Sequence, residues 1–158
     1  MRMIIKTLLL VMAVIAIAYL CFYLARTFCS TPTQQKLDNQ VCIGDRCLFV
    51  ELAKTEVEHS KGLMNRTELG KNNGMLFIFD KEGVYPFWMK NTLIPLDIIW
   101  IDGSNKIVFI GQDIQPCKNL ICSSVNPSVK AKYVLEVNSG LCKENNIKIG
   151  DEVKIKID

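Results

Sequence analysis

The chain has 158 residues, a formal charge of +3, seven cysteines and a single histidine. All sixteen acidic residues and sixteen of the nineteen basic ones follow Ser30, so that portion is formally neutral. Without a basic run it has no electrostatic footprint for nucleic acid, and one histidine excludes any multi-histidine metal or catalytic centre.

The first element is apolar. Thr7 to Ala25, "TLLLVMAVIAIAYLCFYLA", is nineteen residues without a charge. As a helix it would span about 28 Å, close to the hydrocarbon thickness of a bilayer. Ala16-Ile17-Ala18 could serve as a small-residue cleavage site, but the apolar run continues well past it. Leu20 and Phe28 precede Cys21 and Cys29, where a lipoprotein signal needs a small residue. We therefore expect an uncleaved single-span anchor over residues 1–29, a polar linker over 30–40 containing Pro32, and an extracytoplasmic domain over 41–158 at the cell membrane.

The domain begins with "CIGDRC". A two-residue turn at Gly44-Asp45 would set Cys42 opposite Cys47, close enough for a disulfide. "CKNLIC" offers a second short-range pair, Cys117 and Cys122. Such bonds persist outside the cytoplasm, in keeping with the expected placement. A four-cysteine zinc site and unlinked thiols are the competing readings, although zinc sites favour about two to four intervening residues. Cys142 has no sequence-local partner.

Next comes a strand, "RCLFVELA", followed by "TEVEHSKG". Thr55 with Glu58 three residues later is a capping-box signature, predicting a short helix from Glu56 that ends near Gly62. His59 on that polar helix is expected to face solvent. "GMLFIFD" reads as a strand, and "FWMKN" resumes one after Gly83 and Pro86. "LDIIWID", a Gly103-Ser104 turn and "KIVFIGQDI" predict a hairpin; "KYVLEVNSG" and "DEVKIKI" are later strands, with a helical turn at "LCKENN". Seven or eight short strands with one or two small helices predict a mainly β, antiparallel sandwich or barrel-like domain.

"VELAKTEVEHSKGLMNR", "GMLFIF", "FWMKNTLIPLDIIWID" and "KYVLEVNSG…IKIGDEV" resemble the domain of unknown function 192 family, a prokaryotic group often exported or membrane-anchored. The resemblance covers residues 48–158. The motif positions filled are Glu51, Gly62, Leu63, Met64, Arg66, Gly74, Met75, Trp88, Met89, Asn91, Thr92, Pro95, Asp97, Glu136, Gly140, Gly150 and Asp151. It implies a compact, mostly β domain and no established activity.

The candidate site residues form two sets. Glu51, Arg66, Lys90, Asn91, Thr92, Asp97 and Glu136 are polar, and three of them, Glu51, Asp97 and Glu136, interrupt apolar strands. Unpaired buried charge costs several kcal/mol, so these groups need partners, water or a ligand. Arg66 is the expected partner of Asp97, its planar fork matching a carboxylate. With Trp88 these residues would suit a small molecule or an envelope glycan, whose ring stacks on the indole. The alternatives are hydrolysis of an envelope polymer with Asp97 and Glu136 as the acid–base pair, and a structural or assembly role at the membrane surface. The soft set, Met64, Met75 and Met89, could hold Cu(I), but methionine at such positions ordinarily fills a core. No cofactor is expected.

Overall fold

The computed structural model describes residues 12, 15–20, 39–117 and 121–157. The expected membrane span lies largely outside the described residues. Among these, no helix is long and apolar enough to cross a membrane. The chain divides into two compact units, Met1–Lys36 and Leu37–Asp158.

In the second unit the elements run β1 (Gln40–Ile43), β2 (Arg46–Ala53), α1 (Glu56–Lys61), β3 (Asn73–Gly83), β4 (Phe87–Trp88), β5 (Leu96–Ile101) and β6 (Ile107–Ile114). They continue with β7 (Ser124–Val125), β8 (Ala131–Asn138), α2 (Leu141–Glu144) and β9 (Val153–Lys156). Seven strands form one curled sheet, a half-barrel, in the order β6-β5-β8-β3-β2-β1-β9. β4 and β7 make a separate two-stranded ribbon. The mainly β expectation holds, with one correction to its antiparallel form: β2 and β3 run parallel. Their connection, carrying α1, passes over one face of the sheet, as a parallel crossover requires.

Local signals act where they were read. Ile43 pairs with Arg46 and Cys42 with Cys47 around the Gly44-Asp45 turn, and Gly44 supplies the positive φ that such a turn needs. Both predicted disulfides form, Cys42–Cys47 and Cys117–Cys122. α1 carries the complete capping box: Thr55 Oγ1 accepts from the Glu58 N–H, and the Glu58 carboxylate accepts from the Thr55 N–H.

Strand parity sorts the core into two clusters, one on each side of the sheet. On the Ile99 face, Val41, Leu48, Leu76, Ile101 and Leu135 pack with Leu141 and Cys142 of α2. On the Trp100 face, Ala53, Met75, Phe77, Ile98 and Val134 pack with Leu63 and Met89 from the connections. Trp100 is fully buried there, and its indole N–H donates to the Tyr85 carbonyl at 2.8 Å. Gly74 permits β3 and β8 to approach: a Cβ on it would stand 2.9 Å from the Glu136 carbonyl oxygen.

Candidate functional site

Glu51, Met75, Glu136 and Ile98 are successive register partners across β2, β3, β8 and β5, so their side chains form one row on the Trp100 face. One strand, β3, separates Glu51 from Glu136, so two inter-strand spacings set them about 10 Å apart. Glu51 is occupied: both its oxygens accept from the Arg66 guanidinium. That bond raises the Arg66 pKa, the largest influence on it. The expected Arg66–Asp97 pair does not form, because Asp97 belongs to the opposite parity of β5 and points to the Ile99 face.

Asp97 is satisfied there by backbone. Its Oδ1 accepts from the Asp113 N–H and its Oδ2 from the Cys142 N–H, both at 2.8 Å. The carboxylate thereby ties the end of β6 to the start of α2. Burial, and then the neighbouring Asp97, push the Cys142 thiol pKa up, so Cys142 stays a neutral core group. Asp97 and Glu136 consequently lie on opposite sides of the sheet. They cannot flank one bond, and the acid–base pair read from the sequence does not converge.

Glu136 is different. The residue is 5 % exposed, and its Oε2 has no hydrogen-bond partner among the described residues. Burial raises its pKa to about 8, so at neutral pH it is mostly the uncharged acid. It forms the floor of a pocket of about 20 Å³ bordered by Gly62, Met64, Phe77, Phe87, Thr92 and residues of α1. One water needs roughly 10–15 Å³ by the same measure, so the space takes about one heavy atom. Gly62 holds the wall open. Its φ is +45°, and a Cβ on it would stand 3.2 Å from the Phe77 ring and 3.7 Å from Glu136 Oε2.

Adjoining this pocket is a cleft of about 230 Å³ between His59, Ser60, Phe79, Tyr85, Pro86, Phe87 and Trp88. Both hollows are lined by His59, Ser60, Phe87 and Trp88. Its rings brace one another. Phe79 stacks on Tyr85 at 3.6 Å between centroids, His59 leans on Phe79 at 4.6 Å, and Phe87 meets Phe77 edge-on at 4.8 Å. Trp88 is 46 % exposed on the rim. The β4–β7 pairing holds its strand, and a bridge between Lys90 and Cys117 joins that strand's end to the second disulfide.

The other sequence-predicted residues distribute around this site. Thr92 is buried and lines the deep pocket. Lys90 is exposed and sets its ammonium 5.2 Å over the Trp88 ring. Asn91, at φ 56°, is a turn residue whose carbonyl accepts from the Asn65 N–H. Of the methionines, Met75 and Met89 are buried core residues and Met64 borders the pocket. His59 is half-buried rather than solvent-facing: its Nε2 stands 3.1 Å from both the Ala53 and Ile78 carbonyl oxygens, so that nitrogen carries the hydrogen. Phe79 and Tyr85 are not among the residues that the sequence singles out. Their signal was the density of rings on either side of Gly83 and Pro86.

A larger hollow of about 730 Å³ lies between the β1–β2 turn and residues 145–154. It is lined by Asp45, Arg46, Asp151, Glu152 and Lys154, charges of both signs. Arg46 there donates outward to the Lys71 carbonyl and to Asn72. Its size exceeds that of the aromatic cleft, and Arg46 Nε, like Glu136 Oε2, is a buried side-chain atom without a hydrogen-bond partner among the described residues.

A single curled sheet, with an aromatic cleft beside a small pocket lined by Glu136, defines the class: a small β domain with a candidate site on the Trp100 face. The chain belongs to the DUF192 family, described as "Uncharacterized ACR", over residues 39–155. A protein of unknown function from Novosphingobium aromaticivorans is 34% identical, with a TM-score of 0.69 over 79% of this chain and 91% of that one. A Sinorhizobium meliloti protein described as a candidate transcription regulator is 30% identical, with a TM-score of 0.69 over 75% and 93%. No curated protein matches the chain.

Proposed function

We propose that this chain is a small-ligand binding module, with the aromatic cleft above Glu136 as its site. One observation carries the reading: a buried carboxyl group whose Oε2 lacks a partner among the described residues lines a small pocket that shares His59, Ser60, Phe87 and Trp88 with the ring-walled cleft. Leaving such an atom unsatisfied costs about 1–3 kcal/mol. A ligand that reaches it offsets that cost and gains ring contacts as well. A volume of about 230 Å³ is small beside the usual 300–1,000 Å³ of drug-sized sites, which favours one ring, free or at the end of an envelope glycan. The regulator description of the Sinorhizobium relative finds no support in charge, since the chain beyond Ser30 is formally neutral.

The uncharged run from Thr7 to Ala25 and the two disulfides support a domain displayed outside the cytoplasm on a single membrane span. Digestion by protease added to intact spheroplasts is the expected result, and full protection would reverse the topology.

Tryptophan fluorescence tests the site directly, because the chain has two indoles in opposite settings. Trp88 is on the rim and Trp100 is fully buried. A panel of monosaccharides and small aromatic compounds should include ligands that change the exposed indole's emission saturably, and Trp88→Ala should remove the change. If no compound of the panel gives a saturable change, the binding reading is wrong.

A further inference from the structure

Resting on the binding site just proposed, we infer that the ligand's polar tip is a primary ammonium group, received by Glu136 as a carboxylate in the small pocket that shares a wall with the aromatic cleft. Size is the first argument. The pocket over Glu136, about 20 Å³, admits about one heavy atom. An ammonium nitrogen fits that space; a guanidinium, a carboxylate or a phosphate does not.

The second argument is the chemistry of the walls. Glu136 Oε2 is a buried oxygen with no donor from the described residues, and Thr92, on the same pocket, brings a hydroxyl that can accept a second hydrogen bond. The approach is lined by Phe87, Trp88, Tyr85 and Phe79, whose faces attract cations. The Trp88 ring already takes one such cation, the Lys90 ammonium at 5.2 Å. Aromatic walls closing on a buried carboxylate discriminate in favour of an alkylammonium over its alcohol counterpart.

The neighbouring charges set the background. From α1, His59 and Lys61 border the pocket. From β2, Glu51 faces along the same row but is neutralised by Arg66. Lys90 stands beyond Trp88. Lys61 and Lys90 are exposed and act through water, so their repulsion of a cation is screened by salt. β3, β5 and β8 present no other titratable side chain on this row.

Proton balance follows from the state of Glu136. Below pH 8 it is the neutral acid, so seating an ammonium there releases one proton to bulk water. Affinity for the amine should therefore rise about tenfold per pH unit up to roughly pH 8 and then level off.

The test is titration calorimetry of the full-length protein with 2-phenylethylamine and with 2-phenylethanol between pH 6 and pH 9. These probes share the ring and spacer and differ in the tip. The expected result is that the amine binds more tightly at pH 8, with the stated slope and one proton released in buffers of differing ionisation enthalpy. Glu136→Gln, an uncharged isostere, should abolish the slope and most of the affinity. Alcohol binding that equals or exceeds amine binding at pH 8 overturns the ammonium assignment and leaves the binding site standing. Amine affinity and slope unchanged in Glu136→Gln would overturn it equally. Failure of both probes, together with a silent Trp88 across the ring panel, removes the site itself.

Discussion

Two buried carboxyl groups occupy adjacent strands, one on each face of the sheet, and only one is fully provided for. Asp97, 1 % exposed, accepts two backbone N–H groups and fastens β6 to α2. Glu136, 5 % exposed, has an oxygen with no partner among the described residues and lines a small pocket. Burial is nearly the same in both, so burial does not distinguish scaffold from site. The supply of donors does: a carboxylate with its hydrogen bonds built in is held by the fold, whereas one without them is held ready for something else.

The sharpest way to separate the two is pH. Glu136 has a folded pKa raised to about 8, so the native state binds a proton more readily than the unfolded chain. Its contribution is therefore fully present below the unfolded value of about 4.5 and is lost as pH rises towards 8. The loss is on the order of 5 kcal/mol across that window. Denaturant unfolding at pH 5 and pH 9 should show it, and Glu136→Gln should flatten the slope; an unchanged slope would mean that Glu136 is already ionised and solvated.

Removing the other acid attacks the scaffold. Asp97→Ala strands one buried and one part-buried N–H group and should cost about 3–5 kcal/mol at pH 7, with Asp97→Asn costing less because the amide oxygen retains one bond. A loss below about 1 kcal/mol for Asp97→Ala would erase the contrast with Glu136.

The smallest effect belongs to Glu51 and Arg66, which share the row with Glu136 but remain about one-third exposed. Their coupling in a double-mutant cycle should be about 1 kcal/mol or less, reduced by salt. A larger coupling would make this pair, like Asp97, a fastening of the fold.

What could be read from the chain was local. Gly44-Asp45 fixed the register of Cys42 on Cys47, Thr55 and Glu58 marked the helix start, and Gly103-Ser104 joined β5 to β6, because each signal acts over a few residues. Within β5, alternation alone puts Asp97 on the face of Ile99 and Ile101. It could not show that Glu51 and Glu136 share a face that Asp97 does not, since this depends on register between strands far apart in sequence. Arg66 was matched to the wrong carboxylate for that reason. The parallel β2–β3 pair and the strand order escaped for the same one. The site is half legible: Trp88, Thr92 and Glu136 stand out as polar or aromatic interruptions, whereas Phe79 and Tyr85 look like ordinary core residues until the sheet gathers them.

The pairing of β1 with β9 has a consequence for how the chain is made. Gln40 pairs with Lys156, so the first and last strands of the sheet complete each other. During synthesis from the amino terminus, the β1–β2 hairpin and its disulfide can form early, but one side of β1 waits for nearly the whole domain to emerge. Edges of this kind fold slowly, because a long loop must close before the contact is gained. Vectorial folding of this domain therefore ends with the edge strand that covers β1, Val153–Lys156.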